Sequence, residues 1–159
     1  SADRTVKKLY QGKNFRSLIS KKFNIENNSN LKINLKKKIL KNRLNLKKLE
    51  KLIHPLVRKK MHKFTLENKN KKMLFYEIPL LIESKLMKFF DIIIFIKSRR
   101  KLRLKRFKIT KGNYEIFNFL DNEQINEEKK IKLCDYVVVN EKNIKILKKK
   151  LSSIMIKYE

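Results

Sequence analysis

Residues 76–83 read Tyr76-Glu77-Ile78-Pro79-Leu80-Leu81-Ile82-Glu83, behind the apolar run Met73-Leu74-Phe75 and ahead of a second run, Ile92-Ile93-Ile94-Phe95-Ile96. A buried strand that ends in Pro-Leu-Leu and a carboxylate, then a short helix and another buried strand, is how α/β proteins carry polar groups to the sheet edge where ligands sit. A third run covers residues 136–139, Tyr-Val-Val-Val. None of the three alternates apolar with polar, so the pattern predicts strands at 73–78, 92–96 and 136–139 covered on both faces of a parallel sheet. Helical segments separate them, which makes the expected fold class α/β.

The N-terminal part reads as helices. Val6, Leu9 and Tyr10 share a helical face, with Asp3 where an N-cap belongs. Phe15, Leu18, Ile19 and Phe23 mark a second short helix, and Asn27-Asn28-Ser29-Asn30 a loop. Asn34 is placed to cap a helix carrying Leu35, Ile39 and Leu40. A longer stripe runs from Leu46 to Phe64, and Pro55 inside it is expected to kink or restart the helix, since proline has no amide hydrogen to give. That puts His54 at a bend. Residues 99–134, rich in Lys and Arg at the start and helical later, are too long for a simple crossover and read as a lid. A last helix carries Ile144, Leu147, Leu151, Ile154 and Met155.

Composition narrows the classes. At 159 residues and 42% hydrophobic, the chain fits one domain with a real core and is unlike a disordered polybasic tail. Its net charge of +28 points toward nucleic acid or an anionic surface. Lysine is nevertheless spread from Lys7 to Lys157 among Asn and Ile, which share A/T-rich codons, so the charge reads first as a compositional bias. Cys134 is the only cysteine and sits beside Leu133, as a small core hydrophobe. No run has the length of a membrane span and no signal peptide is visible, so a cytoplasmic chain is expected.

Motif by motif, the chemistry is sparse. His54 and His62 lie eight residues apart with no carboxylate spaced to complete a metal site, so no metal ligand set is expected. The two glycines, Gly12 and Gly112, supply no Gly-x-x-x-x-Gly-Lys-Ser/Thr cradle, because Gly12-Lys13 is followed by Asn14 and has Lys7 where the first glycine belongs.

Four stretches stand in a telling order: Ser1-Ala2-Asp3-Arg4, Leu49-Glu50-Lys51-Leu52-Ile53-His54-Pro55-Leu56-Val57, the opening run 76–83, and Asp135-Tyr136-Val137-Val138-Val139-Asn140. In that order and spacing the chain resembles dephospho-CoA kinase, and the His-Pro-Leu and Pro-Leu-Leu-x-Glu elements together are quite specific to that family. The resemblance implies an ATP-dependent kinase that phosphorylates the 3′-hydroxyl of the dephospho-CoA ribose, the final step of coenzyme A synthesis. It implies a P-loop kinase fold with a helical CoA-binding region at residues 4–65 and the lid at about 99–134. ATP and Mg²⁺ follow as cofactors, dephospho-CoA as substrate, and a monomer is expected.

Residue by residue, the family's Asp-Ala-Asp motif is matched by Ser1-Ala2-Asp3, which makes Asp3 the expected catalytic base. Arg106 matches an arginine at the lid entrance, where a guanidinium balances charge on a moving phosphoryl group. The family's next lid arginine has no match among Lys108, Thr110 and Lys111. Arg4, His54, Pro79 and Glu83 carry over as substrate-binding positions, and Asn140 as a nucleotide-binding one. Without the resemblance, Asp3 reads as an N-cap, His54-Pro55 as a helix bend, and Glu83 as a surface carboxylate.

The family's first strand, P-loop and first helix, together with the strand leading to Asp-Ala-Asp, would precede Ser1 by roughly 30 residues. The sheet is therefore expected to lack its first two strands, and the chain, as a fragment, to be marginally stable and inactive alone. Two alternatives are a basic nucleic-acid-binding protein and another P-loop nucleotide kinase; a kinase with incidental charge is expected to bind nucleic acid only non-specifically, if at all.

Overall fold

A computed structural model describes residues 1–110 and 112–158, which divide into two compact units, Ser1–Pro79 and Leu80–Glu159. The first unit is helical: α1 (Ala2–Leu9), α2 (Lys13–Phe23), α3 (Leu31–Lys41) and α4 (Arg43–Glu67). Apolar residues at i, i+4 and i+8 on α2, namely Phe15, Ile19 and Phe23, meet Leu31 and Leu35 of α3 and Leu49 of α4. Ile19 and Leu31 are wholly inaccessible. Tyr10 packs edge-on against Phe15, ring centroids 5.1 Å apart.

The C-terminus of α2 and the N-terminus of α4 are closed without glycine. Asn24 takes the left-handed conformation, φ 47°, at the end of α2, and asparagine is among the few residues that visit it readily. Lys38 Nζ donates to the Phe23 and Asn24 carbonyls at 2.7 and 3.1 Å, a cation on the negative end of the α2 dipole. Asn42 Oδ1 accepts from the Leu44 amide and caps α4.

Several expectations are corrected here. Asp3 lies in the first turn of α1, whose N-cap is Ser1. Asn34 lies within α3, whose N-cap is Asn30. Helix α4 runs unbroken through Pro55 for 25 residues rather than restarting. Proline removes one amide from the ladder, and the packing of Leu49, Leu52, Ile53, Leu56 and Val57 on the core side outweighs that loss.

The stretch 73–78 joins no ladder among the described residues. It lies in the first unit, where no strand is available to pair with it, and it docks by side chains instead. Leu74, Tyr76 and Ile78 are half-buried while Phe75, Glu77 and Pro79 are exposed. Tyr76 packs edge-on against Phe64 at 5.6 Å and its hydroxyl lies 2.6 Å from that of Thr65, both near the end of α4.

The second unit holds the sheet. Strands β1 (Ile94–Lys97) and β2 (Tyr136–Val139) pair in parallel, Ile94 opposite Tyr136 and Lys97 opposite Val139. Helices α5 (Arg100–Ile109), α6 (Tyr114–Asn122) and α7 (Glu127–Leu133) fill the crossover, and α8 (Ile144–Met155) packs on β2. The ladder starts two residues later than the apolar run because Ile93 is already engaged: its amide donates to Asp135 Oδ2 at 2.7 Å, and its carbonyl accepts from the amides of Asp135 and Tyr136. Helix begins at Arg100, so the basic start of 99–134 is itself helical. Gly112 closes on α5 so tightly that a Cβ there would overlap the Phe107 ring. The α/β class and the parallel pairing are as expected, with two strands among the described residues where three were expected. None of the described helices is long and apolar enough to cross a membrane.

Candidate active site

In the first unit the carboxylate of interest is set by two local facts. Serine at the cap places Asp3 in the positive first turn of α1, and the Ala2 amide donates to the Glu77 carbonyl at 2.9 Å. That bond pins the end of segment 73–78 to the start of α1. Two carboxylates, Asp3 and Glu77, are thereby brought close. The Asp3 carboxyl is held above its ordinary range, first by partial burial and then by the negative charge of Glu77, with the Ser1 ammonium acting in the opposite direction.

This has a definite sign. A carboxyl raised in the folded state favours folding in its protonated form, so its contribution is complete below the unfolded carboxylate range and is lost as pH rises through the raised value. Asp3 remains solvent-accessible, so screening keeps the stability effect small. The titration itself is the sharper readout. A carboxyl-carbon NMR titration is expected to place the Asp3 midpoint above that of a free aspartate, and Glu77→Gln to move it down. A midpoint that ignores Glu77→Gln would show that the two carboxylates do not interact.

Arg4 follows Asp3 on α1 and is exposed, while His54 is half-buried on α4 and Pro79 is exposed at the end of the unit. Neither Arg4 nor His54 makes a hydrogen bond or ion pair to another described side chain, which leaves both available to a ligand.

In the second unit, Arg106 of α5 is drawn to the carboxyl ends of both strands. Its Nη1 donates to the Asn140 carbonyl at 3.0 Å and to Ser98 Oγ at 3.5 Å, and its Nη2 to Asn140 Oδ1 at 3.5 Å. Ser98 follows β1 and Asn140 follows β2, so one guanidinium ties the two strand ends where α/β folds place ligands. Arg103 supports it, with Nε on the Ser98 carbonyl at 3.2 Å and Nη1 on Asp121 at 2.5 Å. Arg100 also pairs with Asp121.

Glu83 is engaged by the protein itself. Its Oε1 accepts from Lys130 Nζ at 2.9 Å and from the Ile125 amide at 3.0 Å. Lys130, only 5% exposed, also donates to Gln124 Oε1 at 2.9 Å. The structure therefore joins Arg106 with Asn140, and Asp3 with Glu77, and gives Glu83 an anchoring contact. Sequence reading missed Glu77, Lys130 and Gln124. Lys130 lies in a lysine-rich run whose neighbours Lys129 and Lys132 are exposed, and no feature of that run marks the buried one. Lys108 is exposed at the place of the second lid arginine, and Lys111 lies outside the described residues. No cluster of three or more His, Cys, Asp or Glu side chains able to hold a metal occurs among the described residues.

A parallel β pair with a helical crossover, and polar side chains gathered at the strand ends, defines an α/β protein of the class that binds ligands at that edge. Within this class the family model for dephospho-CoA kinase matches residues 8–145. The dephospho-CoA kinase of Rickettsia bellii is 32% identical over 99% of this chain and 83% of its own length, and that of Rickettsia felis 34% identical over 98% and 81%. The dephospho-CoA kinase of Fusobacterium nucleatum is 31% identical over 94% of this chain and 80% of its own length. The chain belongs to the dephospho-CoA kinase family, kinases of coenzyme A synthesis.

Proposed function

We propose that this chain serves the transfer of the terminal phosphoryl group of ATP to the 3′-hydroxyl of dephospho-CoA, with Asp3 as the base. The observation that carries the kinase reading is the family match across residues 8–145, which includes the His54-Pro55 and Pro79-to-Glu83 elements; Asp3 lies before it and rests on the likeness of Ser1-Ala2-Asp3 to the family's Asp-Ala-Asp motif. Asp3 suits the role chemically: burial and Glu77 hold its carboxyl above the ordinary range, which makes it a stronger base, and it stays accessible to an attacking hydroxyl. Arg106 supplies positive charge for the transferring phosphoryl group, and Asn140, which it holds, a polar contact for the nucleotide. Arg4, His54 and Pro79 belong to the dephospho-CoA side. Residues 4–65 form the helical substrate-binding region and residues 99–134 the lid.

Magnesium in kinases is held by one or two carboxylates together with the substrate phosphates. Asp3, with Glu77 beside it, fits that modest requirement. When bound, the ion neutralises charge on the phosphates.

The test is formation of CoA from dephospho-CoA and ATP, measured on the 159-residue chain. Wherever turnover is seen, Asp3→Asn is expected to lower kcat by about a hundredfold or more, with KM for dephospho-CoA changed little. Full turnover by the Asp3→Asn variant would remove Asp3 from the role of base.

A further inference from the structure

We propose that the exposed side of α4 binds nucleic acid through its phosphodiester backbone, without reading base sequence. Helix α4 is long and one-sided in charge. At 3.6 residues per turn, Lys47, Lys48, Lys51, Arg58, Lys59 and Lys63 all fall on one half of its cylinder, and each is exposed. From Lys47 to Lys63 they extend over about 24 Å at 1.5 Å per residue. Between residues 43 and 63 the single carboxylate is Glu50, which lies on the other half and is half-buried. Among the described residues, Lys47, Lys48, Lys51, Arg58 and Lys59 make no ion pair, while Lys63 meets Glu67 at 3.5 Å.

Helices α2, α3, α5 and α8 also lack carboxylates, so what sets α4 apart is length: its 25 residues carry the row further than any of the others reach. Like charges at i, i+4, as in Lys47 with Lys51 and Lys59 with Lys63, weaken an isolated helix. Surface helices ordinarily intersperse carboxylates that relieve this, and a bound polyanion relieves it equally. An extended row of cations without acidic breaks matches a phosphate backbone, whose binding releases condensed counterions.

The same helix argues against a bilayer. Membrane-surface helices insert their apolar face, and that face of α4 is occupied: Leu49 and Val57 are buried, and Leu52, Ile53 and Leu56 pack against the core. It argues equally against base stacking. Phe64 is engaged edge-on with Tyr76, and Tyr10 with Phe15.

Fluorescence polarisation of the full chain with a 20-base-pair duplex, DNA and RNA in parallel, tests this between 50 and 200 mM salt. The triple variant Lys47→Gln, Lys51→Gln, Arg58→Gln is compared with Lys145→Gln, Lys148→Gln, Lys149→Gln on exposed α8, which removes the same charge. Each lost phosphate contact lowers the log–log salt slope by about 0.9. The α4 variant is therefore expected to lose well over tenfold in affinity and about 2.7 in slope, and the α8 variant less than threefold. Equal losses in the two variants would overturn the proposal, because net charge alone would then explain binding. So would vesicles with 30% anionic lipid that bind as tightly as the duplex and respond to the α4 variant. A lysine acetylation footprint on the unaltered chain gives an independent reading: Lys47, Lys48 and Lys51 are expected to be protected by duplex, and unchanged labelling there would sink the proposal whatever the variants do.

Discussion

Lys130→Met is expected to lower the stability of the Leu80–Glu159 unit by about 3 kcal/mol, because it leaves Glu83 charged, largely out of water and without its cation. The side chains of Lys130 and Glu83 are only 6% and 13% exposed, so solvent does little to relieve the orphaned partner. Glu83→Leu is expected to cost at least as much. It strands the Lys130 ammonium, which keeps Gln124 and the face of the Phe95 ring, 5.8 Å away, and it removes the acceptor of the Ile125 amide. Combined, Glu83→Leu and Lys130→Met are expected to cost far less than their sum, since two apolar groups of similar volume fill the site with no charge to solvate. The Ile125 amide still lacks its acceptor, so a residual loss of about 1 kcal/mol persists. Native-state hydrogen exchange reads this within the unit at the Tyr136 and Asn140 amides, which donate to the Ile93 and Lys97 carbonyls at the two ends of the ladder. Strictly additive losses would show that the two side chains act separately.

That ion pair also marks how far sequence reading reaches. The Pro-Leu-Leu-x-Glu element drew attention to Glu83 as a carboxylate near a strand end. Its partner could not be read, since one lysine among many carries no label until α7 turns it inward. Periodicity placed α2, α4, β2 and α8 well, although α8 buries no side chain fully and β2 leaves Val137 and Val139 exposed where cover on both faces was expected. It failed at 73–78 for a definite reason. An apolar run states that a segment wants burial, and whether it joins a ladder depends on a neighbouring strand, which no local pattern encodes. Cap positions failed by a few residues at Asp3 and Asn34, since Ser1 and Asn30 are equally good caps and packing of Leu31 decided the register. At the candidate site, Asp3 and Arg106 were singled out through motifs, whereas Glu77 entered only through the backbone bond from Ala2, and Ser98 through its hydroxyl on Arg106.

Truncating Ile19 or Leu31 to alanine is expected to destabilise the Ser1–Pro79 unit by about 3 kcal/mol each, and the reason lies in what else could fill the gap. Both residues have no solvent-accessible surface and sit where α2, α3 and α4 converge. Their neighbours Phe15, Phe23, Leu35 and Leu49 are themselves held, two of them by further contacts: Phe15 packs edge-on with Tyr10, and the end of α2 beside Phe23 is clamped by Lys38. A site whose walls are fixed collapses little, so the cavity cost adds to the lost transfer energy. Leu18, on the same helix but 42% exposed, provides the contrast and is expected to cost less than about 1 kcal/mol. The two core variants share a contact network, so the double variant is expected to cost less than the sum, one cavity easing the collapse around the other. Exchange protection of the α2 amides, followed beside those of β2, separates the outcomes. Loss of protection in α2 with β2 unchanged is the expected result. Equal loss in both elements would overturn the expectation that the cost of these cavities stays within the Ser1–Pro79 unit.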